Sequence, residues 1–337
     1  MRVLVAGATG VVGHPLVGAL RARGHQVSAL VREESRAKAP DADAVVVADA
    51  LDRQGLLSAV AAVRPEAVVH QMTALRLLRD DPAAAFARTA RLRTEGTANL
   101  VEAAREAGAR RLVAQSIAFA AAPVGGPVLD EDAPLYVDAP DPGWAATVRA
   151  VAELERLVLD GPGPAGAGPA GVVPAGVVPA GVVPAGPGSA GPGPAGVVLR
   201  YGTLYGPGTA YARTGATGQA VLAGRLPLPE GAAGITSFLH VEDAVGAAVA
   251  AVESEATGVF QVTDDEPAPA AQWLPHYART LGGPAPRTVP AALAPRLLGW
   301  FVAHQLTAAR GAANGRARTA LGWRPGRPSW RDGLGAE

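Results

Sequence analysis

Apolar and polar positions follow two rhythms between residues 2 and 202. Short β-branched runs read as strands: "RVLVA" (2–6), "QVSAL" (26–30), "AVVVA" (44–48), "EAVVH" (66–70), "RRLVAQS" (110–116) and "GVVLRYG" (196–202). Longer amphipathic stretches separate them, such as "GTANLVEAAREAG" at 96–108. The strand runs are apolar on both faces and need cover on both sides. The pattern therefore predicts an α/β fold, a Rossmann-like doubly wound parallel sheet flanked by helices. Beyond residue 203 the regularity loosens into Gly- and Pro-rich loops, with 240–253 and the segments around 270–281 and 291–305 reading as helices. The expected division is a nucleotide-binding domain over 1–202, to which 236–262 returns, and a smaller C-terminal substrate lobe from 203–235 and 263–337. Residues 207–235 are Gly-rich enough to hinge as a cover over the substrate.

One stretch belongs to neither lobe. Residues 161–196 are almost wholly Gly, Pro, Ala and Val, with "GVVPA" in tandem from 171 to 185. Regular Pro removes backbone donors and frequent Gly raises the entropy of ordering, so an exposed loop without chemistry is expected, a partner-docking tether being the alternative. Thirty basic and thirty acidic residues cancel, and the arginines are scattered rather than striped. No nucleic-acid or membrane partner is expected, and small molecules are. Cysteine is absent, which excludes disulfides, thiolate metal sites and Cys nucleophiles, and no metal is expected. No run of 18 apolar residues occurs, so a soluble, cytoplasmic protein is expected. Lys38 is the sole lysine, a skew that G+C-rich codons would produce.

The first chemical motif is "VLVAGATGVVGHPLVGALRARG". A strand runs into Gly7, Gly10 and Gly13 and then into a helix. Gly7 permits a tight turn, Gly10 lets backbone approach a pyrophosphate, and Gly13 allows close contact of helix and strand, while the helix N-terminus offers free N–H groups to the anion. Thr9, Val11 and Val12 complete this loop. The second strand ends at Val31 and Arg32, with Arg36 and Lys38 close behind and no acid before Arg32. A carboxylate there would favour NAD, whereas cations suit a 2′-phosphate, so NADPH is the expected cofactor. The competing reading of Arg32 is a solvated charge beside Glu33 and Glu34.

The spacing in "GATGVVG" resembles the extended short-chain dehydrogenase/reductase family, the NAD(P)-dependent epimerase/dehydratase group. Further matches are "VVVADALD", "RTEGTANLVEAAREAGARRLVAQS", "LRYGTLYGPGT", "FLHVEDAV" and "ALGWRPGRPSWRDGL", leaving only 161–196 outside. The resemblance implies that Asp49, next to Ala50, bonds the adenine amino group, although Asp49 could equally cap the following helix. It also implies that Gln71, Met72 and Thr73 pass along the ribose, and that Tyr201, Gly202 and Leu204 lie at the sixth-strand exit near the nicotinamide. Relatives typically pair through their fourth and fifth helices, so a homodimer is a further expectation.

The family's Tyr-x-x-x-Lys pair falls in "GWAATVRAVAELERLV" (143–158), and it is missing. One register puts Thr147 and Val151 at the two positions, and the other puts Ala145 and Arg149 there. The family's Asn is Arg93, and one of its paired hydroxyls survives as Ser116, with Ile117 alongside. Arg93 is a candidate oxyanion stabiliser, with a salt bridge to Glu95 or a neighbouring acid as the simpler fate. Tyr136 is a rival acid if its loop folds inward, His70 and His240 read as structural, and Ile117, Phe119, Tyr136 and Tyr211 are candidate substrate contacts. A positioned general acid contributes roughly 10²–10⁴-fold, so its loss slows hydride transfer without forbidding it. Reduction of an activated aryl or quinonoid ketone, protonated by the substrate itself or by water, suffers least. The chain resembles atypical reductases of secondary metabolism such as angucyclinone ketoreductases, which implies an NADPH-dependent ketoreductase acting on an aromatic polyketide. The alternatives are a non-catalytic NAD(P)-binding sensor and a sugar-nucleotide epimerase or dehydratase.

Overall fold

The computed structural model describes residues 1–75, 81–160 and 193–336; most of the Gly/Pro/Ala/Val stretch, 161–192, lies outside the described residues. Seven parallel strands form one sheet: β1 (Arg2–Ala6), β2 (Gln26–Val31), β3 (Ala44–Val47), β4 (Ala67–His70), β5 (Arg111–Ile117), β6 (Ala195–Tyr201) and β7 (Gly258–Val262). Their order is β7-β6-β5-β4-β1-β2-β3, so the winding reverses between β1 and β4. Open sheets of this kind bind ligands outside the carboxyl ends of the strands at such a reversal.

Period-two alternation explains why both faces are covered. On β1, Val3 and Val5 join a core layer with Leu16, Val17 and Leu20 of α1 (Gly13–Ala22), while Leu4 and Ala6 join the opposite layer. That second layer is built from α2 (Arg53–Val63), α4 (Thr97–Glu106) and α5 (Pro142–Asp160). Between α2 and α4 runs α3 (Pro82–Arg91), capped by Asp81. Helix α6 (Val241–Glu253) packs beside α1 under the first layer. The doubly wound α/β expectation is met, and a seventh strand, "GVFQV", extends the sheet by pairing with β6.

The remaining chain gathers around a separate aromatic core. Phe238, Trp273, Tyr277 and Trp330 are almost wholly buried there, on α7 (Ala270–Leu281) and its surroundings. Helix α8 (Trp300–Thr307) brings Trp300, Phe301, His304 and Gln305 back towards the sheet. Among the described residues no helix is long and apolar enough to cross a membrane.

Candidate active site

The turn after β1 is shaped by glycine. Gly7 has φ +86°, and a Cβ on it would lie 2.6 Å from the backbone of Gln71. A Cβ on Gly13 would lie 2.2 Å from the Gly7 carbonyl oxygen, so helix and turn close only without side chains. The Gly10 N–H donates to the Gly7 carbonyl at 2.9 Å and fixes the loop. Helix α1 then begins with no side-chain cap and no acid in its first turn, which leaves its N–H groups and positive dipole end to an anion. Gln71 gives its amide N–H to the Tyr201 hydroxyl at 3.3 Å, while its buried Oε1 has no partner among the described residues. A dinucleotide fits this surface: a backbone cradle for the pyrophosphate and an unsatisfied acceptor beside it.

The flanking positions are arranged less simply. Arg32 ion-pairs with Glu34, and Arg36 stands 3.8 Å from Glu33, so both cations have acidic partners; Arg36 and Lys38 are exposed and Arg32 is half-buried. Asp49 accepts from the Leu51 N–H and from Arg88 at 2.8 Å, and Asp52 rather than Asp49 caps α2. Ala50 is buried beneath it. Met72 is buried, and Thr73 follows on the way out. Tyr201 is buried with its hydroxyl turned to Gln71 and the Ala244 carbonyl, and burial raises its pKa well above the usual phenol range. Leu204 packs against the first core layer, while Gly202 opens on the cavity described below.

At the proton-transfer positions the structure shows no free donor. Val151 is wholly buried among Trp144, Val148 and Ala120. The Thr147 hydroxyl donates to the Gly143 carbonyl at 3.0 Å. In the other register Ala145 is buried and Arg149 donates to the Val137 carbonyl. Ser116 donates to Glu155 at 2.7 Å, and Glu155 is held in turn by Arg200 in a buried ion pair. That hydroxyl is occupied by a structural network that sequence reasoning missed, since Glu155 reads as an ordinary helix acid.

Arg93 sits in a π-helical turn (Leu92–Gly96), a local insertion common at functional sites. It is buried, and burial lowers its pKa to about 10. The anticipated pair with Glu95 is replaced: Glu95 takes Arg91, four residues back on the same helical face, because residues two apart point away from each other. His70 at the end of β4 accepts from the Met72 N–H and bonds the Thr97 hydroxyl at 3.0 Å. The acceptor role of Nδ1 places its hydrogen on Nε2, and burial holds the pKa down to about 4. It is a neutral brace. His240 caps α6.

A small crevice, with room for about one water molecule, opens outside β5 and β6, lined by Phe119, Gly202, Thr236, Gln305 and Arg310 among others. Phe119 stacks on Trp144 with centroids 6.2 Å apart, and Trp144 meets Phe301 at 4.4 Å. Ile117 adjoins that cluster, as does Tyr136, which packs on Trp300 and His304. Tyr211 instead belongs to the C-terminal core beside Phe238 and Tyr277, and burial raises its pKa to about 12.

A nucleotide cradle at the winding reversal defines a dinucleotide-binding reductase or epimerase fold, and the comparisons agree. The model of the NAD-dependent epimerase/dehydratase family matches residues 3–156. The chain belongs to that family. It is 76% identical over 337 residues, all of both chains, to a 3-diazoavenalumate denitrifying reductase of a Streptomyces species. Solved structures share the fold: UDP-glucose 4-epimerase of Thermotoga maritima with UDP-glucose (19% identity, 100% of this chain and 97% of that one, TM-score 0.68). Human epimerase family protein SDR39U1 with NADPH is similar at 22% identity over 100% and 97% of the chains, TM-score 0.65. Thermus thermophilus UDP-glucose 4-epimerase with NAD is similar at 23% over the same shares, TM-score 0.66. Together these support an oxidoreductase, a reductase in particular, that holds a nicotinamide nucleotide.

Proposed function

We propose that the protein is an NADPH-dependent reductase that removes dinitrogen from an aryl diazo compound, replacing a C–N bond with C–H. One observation carries this reading: an intact nucleotide cradle adjoins a face on which the Ser116 and Thr147 hydroxyls are engaged and Val151 puts carbon at the lysine position. A ketone accepting hydride becomes an alkoxide and needs a proton; an aryl diazonium does not. Its positive charge cancels that of the arriving hydride, the C–N bond breaks with loss of N2, and the ring keeps the new hydrogen. The balance is ArN2⁺ plus H⁻ giving ArH plus N2. A relative 76% identical and named for denitrifying a diazo compound supports this substrate class.

A reduced nicotinamide, when bound, supplies the hydride. The chain's own part is to hold and to exclude. The turn Gly7–Gly13 and the N-terminus of α1 hold the pyrophosphate, and Arg32, Arg36 and Lys38, the cations that follow β2, would meet a 2′-phosphate. Phe119, Trp144 and Phe301 offer flat apolar contact for an aryl ring and keep water from a reactive electrophile. The polyketide aryl ketone expected from the sequence is the second reading, because a substrate carrying its own acidic hydrogen tolerates the same missing donor.

The test mixes purified protein with NADPH and diazotised anilines, following loss of NADPH absorbance and release of N2. Equal amounts of the two support the proposal. Turnover of aryl ketones without any diazo turnover would favour the ketoreductase, tight binding with no turnover the sensor, and sugar-nucleotide interconversion without net cofactor use the epimerase.

A further inference from the structure

The cavity outside β5 and β6 contains two donors that hydride transfer does not use. Arg310 Nε and Gln305 Nε2 are both shielded from solvent, and neither has a hydrogen-bond partner among the described residues. Nearby arginines behave differently: Arg316 pairs with Asp132 and Glu131, and Arg318 with Asp265. The polar wall around Arg310 is already engaged, since the Ser237 hydroxyl exchanges hydrogen bonds with the amide and carbonyl of Ala312. Backbone on both sides of Arg310 is pinned, the Ala309 carbonyl accepting from Ile235 N–H and the Gly311 N–H donating to the Pro127 carbonyl, each at 2.9 Å. A buried donor left unmet is costly, and two such donors line this one crevice. Two N–H donors lining one crevice suit an acceptor, and a guanidinium together with an amide matches a single negative charge.

Resting on the aryl diazo reading above, we infer that Arg310, assisted by Gln305, is the anion-binding end of the substrate pocket and takes the carboxylate of an aryl carboxylate substrate. Phe119, which lines the same cavity and stacks on Trp144, then lies along the ring between the carboxylate and the nucleotide side. Arg310 is a specificity residue rather than part of the hydride transfer.

The experiment compares diazotised 3-aminobenzoate and 3-aminocinnamate with their primary amides, using NADPH and full-length protein. In the wild type the amides are expected to show KM raised roughly 10–100-fold with kcat within about threefold, the range that one charged hydrogen bond supplies. Arg310→Gln is expected to raise KM for the acids by a similar factor, to leave KM for the amides and the Kd for NADPH unchanged, and Arg310→Lys to recover part of the preference. Equal KM for acid and amide in the wild type, or an equal loss on both in Arg310→Gln, would overturn the assignment while leaving the denitrifying reading intact. Should Arg310→Gln fail to fold, the wild-type acid-to-amide ratio and Gln305→Met decide. Should no diazo compound turn over, the denitrifying reading fails by itself, and calorimetry of cinnamate against cinnamamide on wild type and Arg310→Lys tests the anion site separately: preference for cinnamate upholds it, equal binding refutes it.

Discussion

The turn after β1 and the facing ends of β5 and α5 lie in one site but are built on opposite terms. In the first, function resides in backbone shape: Gly7 at φ +86° and Gly13 packed where a Cβ would meet a carbonyl at 2.2 Å. In the second, function in the family resides in side-chain atoms, and here those atoms are gone or engaged: Val151 is core, and Thr147 and Ser116 bond Gly143 and Glu155. A cradle built of backbone can therefore persist without the proton-transfer side chains, because the two draw on different parts of the chain. A substrate whose reduction develops no oxyanion is the kind that such a half-kept site can serve.

The largest test breaks the second region. Arg200→Met strands the Glu155 carboxylate in the core, and losing one partner of a buried pair costs about 3–5 kcal/mol. A fall in denaturation midpoint is expected, with NADPH affinity per folded molecule unchanged; a selective loss of turnover in fully stable protein would instead make the network catalytic. Next comes Gly13→Ala, which overpacks backbone against backbone and costs about 1–3 kcal/mol. That strain weakens NADPH binding by roughly 10–100-fold if it is taken up at the cradle, readable by fluorescence titration. Smaller again is Arg32→Asp, expected to move the NADPH-to-NADH preference roughly tenfold towards NADH, as removal of one phosphate contact implies; an unchanged ratio would take Arg32 out of cofactor recognition.

Stability should also depend on pH through His70 at the end of β4. His70 is held to about 4 when folded and has an ordinary value when unfolded, so the unfolded chain binds the extra proton between those values. The contribution is complete above about pH 6.5 and is lost as pH falls towards 4. His70→Gln should flatten that part of the melting-temperature profile, and an unaltered slope would assign it elsewhere.

The sequence made the first region readable and left the second half hidden, for a physical reason. Gly7, Gly10, Gly13 and the strand runs act over a few neighbouring residues, so spacing reveals them. Ser116 and Glu155 are 39 apart, and Gln71 meets Tyr201 across 130 positions, contacts that only the folded sheet creates. The strand Gly258–Val262 is hard to read, since five residues after a loosened pattern carry little period-two signal. Arg310 in "AARGAANGRAR" resembles any surface arginine until α8 and the Gly311–Ala312 pairing fix it over the cavity. Sequence proximity suggests Glu95 or a neighbouring acid as a partner for Arg93, whereas helix geometry gives Glu95 to Arg91.

The smallest expected effect is the most informative about the comparison. Ser116→Ala and Thr147→Val each remove a hydroxyl from the face where relatives keep their proton donors. If that face is only scaffold, kcat with a diazo substrate stays within about threefold, below the roughly hundredfold minimum that loss of a positioned general acid produces. Ser116→Ala still leaves Glu155 paired with Arg200, so the stability cost is that of one hydrogen bond, about 1 kcal/mol. A diazo substrate without titrating groups should likewise give a kcat flat from pH 6 to 9, because His70 titrates near 4 and lies outside that window. A hundredfold fall in either variant, or a single sharp inflection in that window, would return a proton donor to the site and with it the need for a ketone or sugar substrate.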